Sequence, residues 1–275
     1  MKSGINLELG ISIIIIFSIF IIAILASWIS PHDPENAQPQ MRLENPGPDY
    51  PLGTDHLGRC IFSRIIFGLR ISLFIGLAVV VFSSLLGTIL GGAAGYFGGV
   101  LDEIIMRLVD SFLSFPSIFL ALAVIGFLGS GLNNLMLSLI LVEWTGYARL
   151  ARSSVLSLKG KEFLEAARSL GGSDFYIMSR HILPNVLPPI LVMATLSVGY
   201  AILGIASLSF LGLGVQPPTP EWGSMMNDAR PFLRSHPLMM IFPGMAVTIT
   251  VLAFHLLGDG IREKLNPRSM TEKQL

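Results

Sequence analysis

The sequence predicts an all-α fold, a single polytopic bundle of about six membrane-spanning helices, on three observations. First, 52% of its 275 residues are hydrophobic, only 13% are charged, and the mean hydropathy is +0.69. A soluble domain carries about 25% charged residues because its surface must stay wet. Second, a spanning helix needs roughly 20 mostly apolar residues, since the hydrocarbon core is about 30 Å thick and each residue rises about 1.5 Å; six stretches qualify. Third, no period-two alternation suggests a barrel, so helices are left to satisfy the backbone in lipid. The formal net charge of zero argues against nucleic acid, which calls for a basic patch. The single Cys60 makes neither a disulfide within the chain nor a thiolate metal cluster.

The first apolar stretch, Ile11 to Ile29, is longer than the usual signal-peptide core of about 7–15 residues and ends in Ser-Trp-Ile-Ser-Pro without a small-residue cleavage pattern, so it reads as a span. Residues 30–53 hold six of the seventeen prolines and read as an extended loop. In "TDHLGRCIFSRIIFGLRISL", Thr54 or Asp55 is a candidate N-cap. The mixture of Arg59, Arg64 and Arg70 with Ile61, Phe62 and Ile65 predicts an interfacial helix leading into the second span.

That second span, Ile71 to Tyr96, carries Gly87, Gly91 and Gly95 at four-residue spacing, a groove for close helix contact within the bundle or with a partner subunit. Further spans follow at Ser111 to Gly129, Leu132 to Leu150, Pro188 to Leu211 and Leu238 to Leu257. Residues 212–237 form a second long connection, with Trp222 placed as an interface aromatic. An N-terminus inside the cell puts twelve lysines and arginines inside, Lys2, Arg268 and Lys273 among them, and six outside. The positive-inside rule therefore predicts both termini in the cytoplasm.

On that topology "EFLEAARSLGGSDFYIMSRHILPN", residues 162–185, is cytoplasmic. Phe163, Ala167 and Leu170 recur at i, i+4 and i+7, an apolar stripe on a short helix with Lys161, Glu162, Glu165 and Arg168 opposite. Gly171 can end that helix in the left-handed conformation, and a second helical pattern, Phe175 to Leu183, stops at Pro184. Residues alone leave this as either an amphipathic loop lying on the membrane or a docking element.

The spacing of Glu165-Ala166-Ala167, Gly171 and the close at Leu183-Pro184 resembles the "EAA" loop of binding-protein-dependent ABC importer permeases. His181 stands where many members have isoleucine, and His-Ile-Leu-Pro-Asn is similar to the peptide and nickel branch. "LGTDHLGRCIFSRIIFGLRISL" (52–73), with Cys60 in place of an aspartate, "LSFLGLGVQPPTPEWGSMMNDAR" (208–230) and "LLGDGIREKLNPR" (256–268) look like blocks of the second, C-type permease subunit of dipeptide, oligopeptide and nickel importers. The resemblance implies a type I ABC importer permease fold in a prokaryotic inner membrane. It implies a heterodimer with a second permease, two ATP-binding subunits docked on the loop at 160–185, and an extracytoplasmic substrate-binding protein. Residues 1–70 then form an N-terminal helix, loop and interfacial helix, and residues 71–275 the permease core. ATP and magnesium belong to the ATPase partners; this chain binds no cofactor and catalyses no reaction.

The chain's own residues agree with the last point. Gly160-Lys161 is followed by Glu162 and lacks the upstream glycine of a phosphate loop, and no catalytic Ser-His-Asp set or H-E-x-x-H helix can be assembled. Glu143, inside the fourth span, either lines a pathway or is paired within the bundle. His255 reads as a hydrogen-bonding residue of the bundle or a pathway residue. Met225 and Met226 are either soft metal contacts or packing residues. The methionines and the Asn227-Asp228-Ala229-Arg230 block incline the cargo toward nickel or a metal chelate over peptides. The alternative is a self-contained channel or secondary transporter with no ATPase partner.

Overall fold

The computed structural model describes the backbone of residues 2–265 and the side chains of residues 9–265. The Lys2 side chain, Arg268, Lys273 and the end of the 256–268 block lie outside these. The described residues form helices and no strand: α1 (Lys2–Ile24), α2 (Ala26–Ile29), α3 (Ile61–Phe97), α4 (Gly99–Leu113), α5 (Ser117–Leu128), α6 (Leu132–Leu158), α7 (Glu162–Ser169), α8 (Asp174–Ile177), α9 (Leu183–Phe210), α10 (Trp222–Ala229) and α11 (Leu238–Leu265).

The 37-residue α3, about 55 Å long at 1.5 Å per residue, is the axis of the bundle. It packs along α6, α9 and, more lightly, α1 and α11. Glycines set the closeness of its main seam. A Cβ on Gly91 would fall on the backbone of Ala148, one on Gly87 on Trp144 and Tyr147, and one on Gly95 within 3.0 Å of Arg152 and Val155. The four-residue glycine spacing is therefore used inside the chain, between α3 and α6. Beyond this seam Ile75, Val79, Ile125, Leu135, Ile202 and Ile205 are fully buried at the junction of α3, α5, α6 and α9.

Three elements differ from the sequence expectation. The stretch Ser111 to Gly129 is not one helix: α4 and α5 meet at 94°, because Pro116 cannot donate to a continuing ladder and instead caps α5. The pattern expected to stop at Pro184 does not stop. Residues 174–210 form one helical rod, bridged at 178–182 by a wider π turn in which Leu183 N–H reaches the Met178 carbonyl. The Asn185 side chain donates to the His181 carbonyl at 2.7 Å, one turn back along the rod. Finally, no interfacial helix precedes the second span; α3 starts at Ile61, and Asp55 turns its carboxylate to the following loop and Arg59.

Three helices are long and apolar enough to cross a membrane alone, residues 61–97, 174–210 and 238–265, and the bent α4–α5 pair makes a fourth. The apolar part of α1 with described side chains, Leu9–Ile24, is shorter than that. The 27-residue α6 carries Asn133, Asn134, Glu143 and Arg149 along its length. The chain is a multi-pass membrane protein; six remains the expected number of crossings.

Candidate functional site

Two surfaces of the bundle gather the residues singled out above. The first is a trough along α9. This helix contains no charged residue, and one face of it, from Pro188 through Leu196 and Tyr200 to Ser207, lines two adjoining cavities of about 500 and 600 Å³ that share Met193 and Leu196. These twenty residues of helix, nineteen steps of about 1.5 Å, cover about 28 Å, close to the roughly 30 Å of a hydrocarbon core. Ser117 and Ala121 of α5 and Leu139 and Glu143 of α6 form the opposite wall, and Arg262 and Leu265 of α11 close the end toward residue 188.

Glu143 thus faces the trough, half-buried, with no hydrogen bond or ion pair among the described residues. Of the other pathway candidates, His255 is off the wall but meets Tyr200 edge-on, ring centroids 4.7 Å apart. Met225 is buried in the core beside Met239. Met226 packs against that core, its sulfur over Gly244 of α11. These two methionines fill space between α10 and α11, and among the described residues no group of three or more His, Cys, Asp or Glu is placed to hold a metal.

The second surface is at the end of the bundle where α3 finishes. Leu164 of α7, 1% exposed, plugs α7 into a cluster with Val155, Ile177 and Ile182. The buried face is therefore not the Phe163/Ala167/Leu170 stripe: Phe163 is exposed, Ala167 half-buried and Leu170 88% exposed. The helix turns Phe163 and Leu170 outward, with Leu164 seated in the cluster and Ala167 packed at its edge. Gly171, at φ 81°, makes the left-handed elbow, with its own N–H on Arg168 and that of Gly172 on Ala167. Ser173 then caps α8.

Ala166, Ala167, Gly171 and His181 come together, with Phe163, Leu170 and Tyr176, around one open groove of about 750 Å³. His181 sits edge-on to Tyr176 at 5.4 Å. Glu165 is exposed beside this groove, whereas Leu183 lies on a neighbouring apolar hollow with Phe175 and Met178, and Pro184 is exposed at the start of α9. The Tyr96 hydroxyl donates to Asp174 at 2.6 Å and Arg168 lies over the Tyr96 ring, tying the segment to the end of α3.

At the opposite end of α3 the structure gives Asp55, Arg59, Arg64, Trp222 and Asp228 roles other than those the sequence suggested, and adds Glu221. Asp55 accepts from Arg59 Nε at 2.7 Å and lies 3.6 Å from Arg64; Arg59 reaches Asp228 at 3.3 Å. Arg64, 2% exposed, donates to the carbonyls of Pro34 and Pro218. These charges latch the 30–60 segment onto the 212–237 segment, so Arg59 and Arg64 are buried structural groups and not interfacial ones. Trp222 is likewise buried, donating to the Ile65 carbonyl at 3.0 Å. Glu221 is fully buried and accepts the N–H groups of Gly223 and Ser224, each at 2.9 Å, to cap α10. Burial pushes its carboxyl up, against the pull of those two donors. The i,i+4 spacing of Asp55 and Arg59 was a visible signal; the pairing with Asp228 was not.

Residues 83–270 match the family described as binding-protein-dependent transport system inner membrane component. The chain is 42% identical over 262 residues to the nickel transport system permease protein NikC of Escherichia coli K12, covering 95% of both. It is 43% identical over 258 residues to the dipeptide transport system permease protein DppC of Alkalihalophilus pseudofirmus, covering 94% of this chain and 85% of that one. With the glutathione transport system permease protein GsiD of Escherichia coli O6:K15:H31 the identity is 45% over 251 residues, 91% and 83% of the two chains. A chain in an inward-facing structure of the MetNI methionine ABC transporter shares the fold, with a TM-score of 0.56 at 20% identity, over 71% of this chain and 94% of that one.

Proposed function

The chain belongs to the binding-protein-dependent transport system inner membrane component family, and we propose that it is the C-type permease subunit of an ATP-driven importer for nickel, free or chelated, or for small peptides. In this reading residues 1–70 precede the permease core of 71–275, both termini are cytoplasmic, and the protein sits in a prokaryotic inner membrane. The α9 trough is one half of the cargo path, and a second permease supplies the other half. An extracytoplasmic binding protein delivers cargo at the latched end. Two ATPase subunits, which use ATP and magnesium, dock on the segment at 160–185.

The observation that carries the proposal is the groove around Gly171. It exposes Phe163, Leu170 and Tyr176 at the end of the bundle while Leu164 and the Tyr96–Asp174 bond hold it rigidly to α3 and α6. An exposed apolar groove on a rigid mount suits a docked partner, and motion of that partner passes to the bundle as a rigid-body shift. A self-contained channel has no use for such a mount. The nickel inclination drawn from Asn227-Asp228-Ala229-Arg230 loses support, since Asp228 is spent on Arg59, so nickel and peptide cargo stand level.

The test is ATP-driven uptake by the complete system with Glu165→Arg or Gly171→Asp in this chain. Both variants are expected to insert normally and to lose uptake. Normal uptake in both, or transport by the chain alone in liposomes with no ATPase captured by crosslinking, refutes the docking role.

A further inference from the structure

We propose that Glu143 is the cation-recognising residue of the trough, receiving the positively charged centre of the cargo, whether an ammonium group or a divalent metal ion; this rests on the trough being a transport path. Glu143 faces the larger cavity, about 600 Å³, in the range of small-ligand sites. Among the described residues it is the one charged group lining that cavity, and the two other helices of its wall, α5 and α9, contain none. The next basic residues along α6 are engaged elsewhere: Arg149 on Asp110 at 2.8 Å and Arg152 on Asp102 at 2.7 Å. The carboxylate therefore has no counter-ion among the described residues.

An ionised carboxylate at membrane depth is costly unless water or a cation accompanies it. Had the position served packing alone, a neighbouring donor or an apolar residue would stabilise the bundle better. The surroundings are instead those of a binding site. Ser117, Ser197, Tyr200 and Ser207 bring hydroxyls to the same cavity, able to accept from an ammonium or from metal-bound water. His255 braces the Tyr200 ring edge-on. One turn along α6 the buried Tyr147 hydroxyl, beside Ser197, lies within electrostatic reach of Glu143. Arg262 lines the adjoining cavity and not this one, so within the larger cavity the carboxylate sets the sign of the local field, attracting cations and repelling anions.

The test has two arms. Membranes carrying the complete transporter are treated with a hydrophobic carbodiimide, and the adduct on Glu143 is followed by peptide mass spectrometry with nickel chloride, diglycine or N-acetyldiglycine present. Nickel or diglycine, or both, should slow labelling about tenfold, the scale of a charge-assisted contact, and N-acetyldiglycine should not. Which of the two protects identifies the source of the charge. Equal labelling under all conditions overturns the proposal. In the second arm Glu143→Gln should cut ATP-driven uptake about tenfold while Glu143→Asp retains most of it. A Glu143→Gln variant that transports normally, or that releases the second permease because the carboxylate pairs with that subunit, also overturns it. Absence of ATP-driven uptake in the unmodified complex defeats the importer reading instead, and the labelling arm still judges Glu143.

Discussion

Leu170→Asp separates docking from folding more cleanly than any other change at the groove. Leu170 is 88% exposed and makes no contribution to the cluster that seats α7. Full burial of a leucine is worth about 1.5–3 kcal/mol, so covering the exposed part in a complex yields roughly 1.3–2.6 kcal/mol. Aspartate forfeits that and adds a carboxylate to be desolvated, so ATPase affinity should fall at least about tenfold. The assay is titration of the purified ATPase subunit onto the permease pair in nanodiscs, with thermal unfolding of the same samples. Leu170→Asp should weaken binding and leave the melting temperature unchanged. Leu164→Ala should do the reverse first, lowering stability by about 2–5 kcal/mol through the cavity it opens. If Leu170→Asp binds the ATPase as the unmodified chain does, the groove is not the docking surface, whatever Leu164→Ala does.

Gly91→Ala should cost about 1–3 kcal/mol in detergent unfolding, because its Cβ meets the Ala148 backbone, whereas Gly92→Ala, with nothing within 4 Å of the added carbon, is the matched control. Arg64→Ala leaves the carbonyls of Pro34 and Pro218 without their donor in a buried site, at about 1–3 kcal/mol for each group left unsatisfied; limited proteolysis should cut the 30–60 segment faster in this variant. Glu221 holds its proton to higher pH when folded than when unfolded, so the stability linked to it is present in acid and is lost as the pH rises from the usual 4.5 through the raised folded value. Glu221→Gln cannot ionise, and the melting-temperature difference, variant minus unmodified chain, should grow more positive with pH over that window.

Local pattern was enough for much of this chain. Gly171 was legible as an elbow because tolerance of a positive φ is a property of the residue itself. The face of α7 was not: Phe163, Ala167 and Leu170 make the better stripe by spacing, yet the bundle offers a hole that fits Leu164. Proline was misleading in both directions. Pro116 breaks what reads as one apolar span, while Pro184 fails to break a rod because the chain enters it through a wider π turn. Arg59 and Arg64 look interfacial by composition because their partners, Asp228 and the carbonyls of Pro34 and Pro218, are distant in sequence or offered by backbone.

Composition and apolar run length by themselves determined that this is a multi-pass helical membrane protein, and short motifs determined its family, because both are carried by neighbouring residues. Tertiary structure alone decided that Glu143 faces an open trough without a counter-ion among the described residues, that Met225 packs in the core, and that Gly87, Gly91 and Gly95 serve a seam within the chain. Each of those outcomes depends on which surface of one helix meets another. Helical periodicity limits that choice to a face, and only the packing of the whole bundle selects among faces.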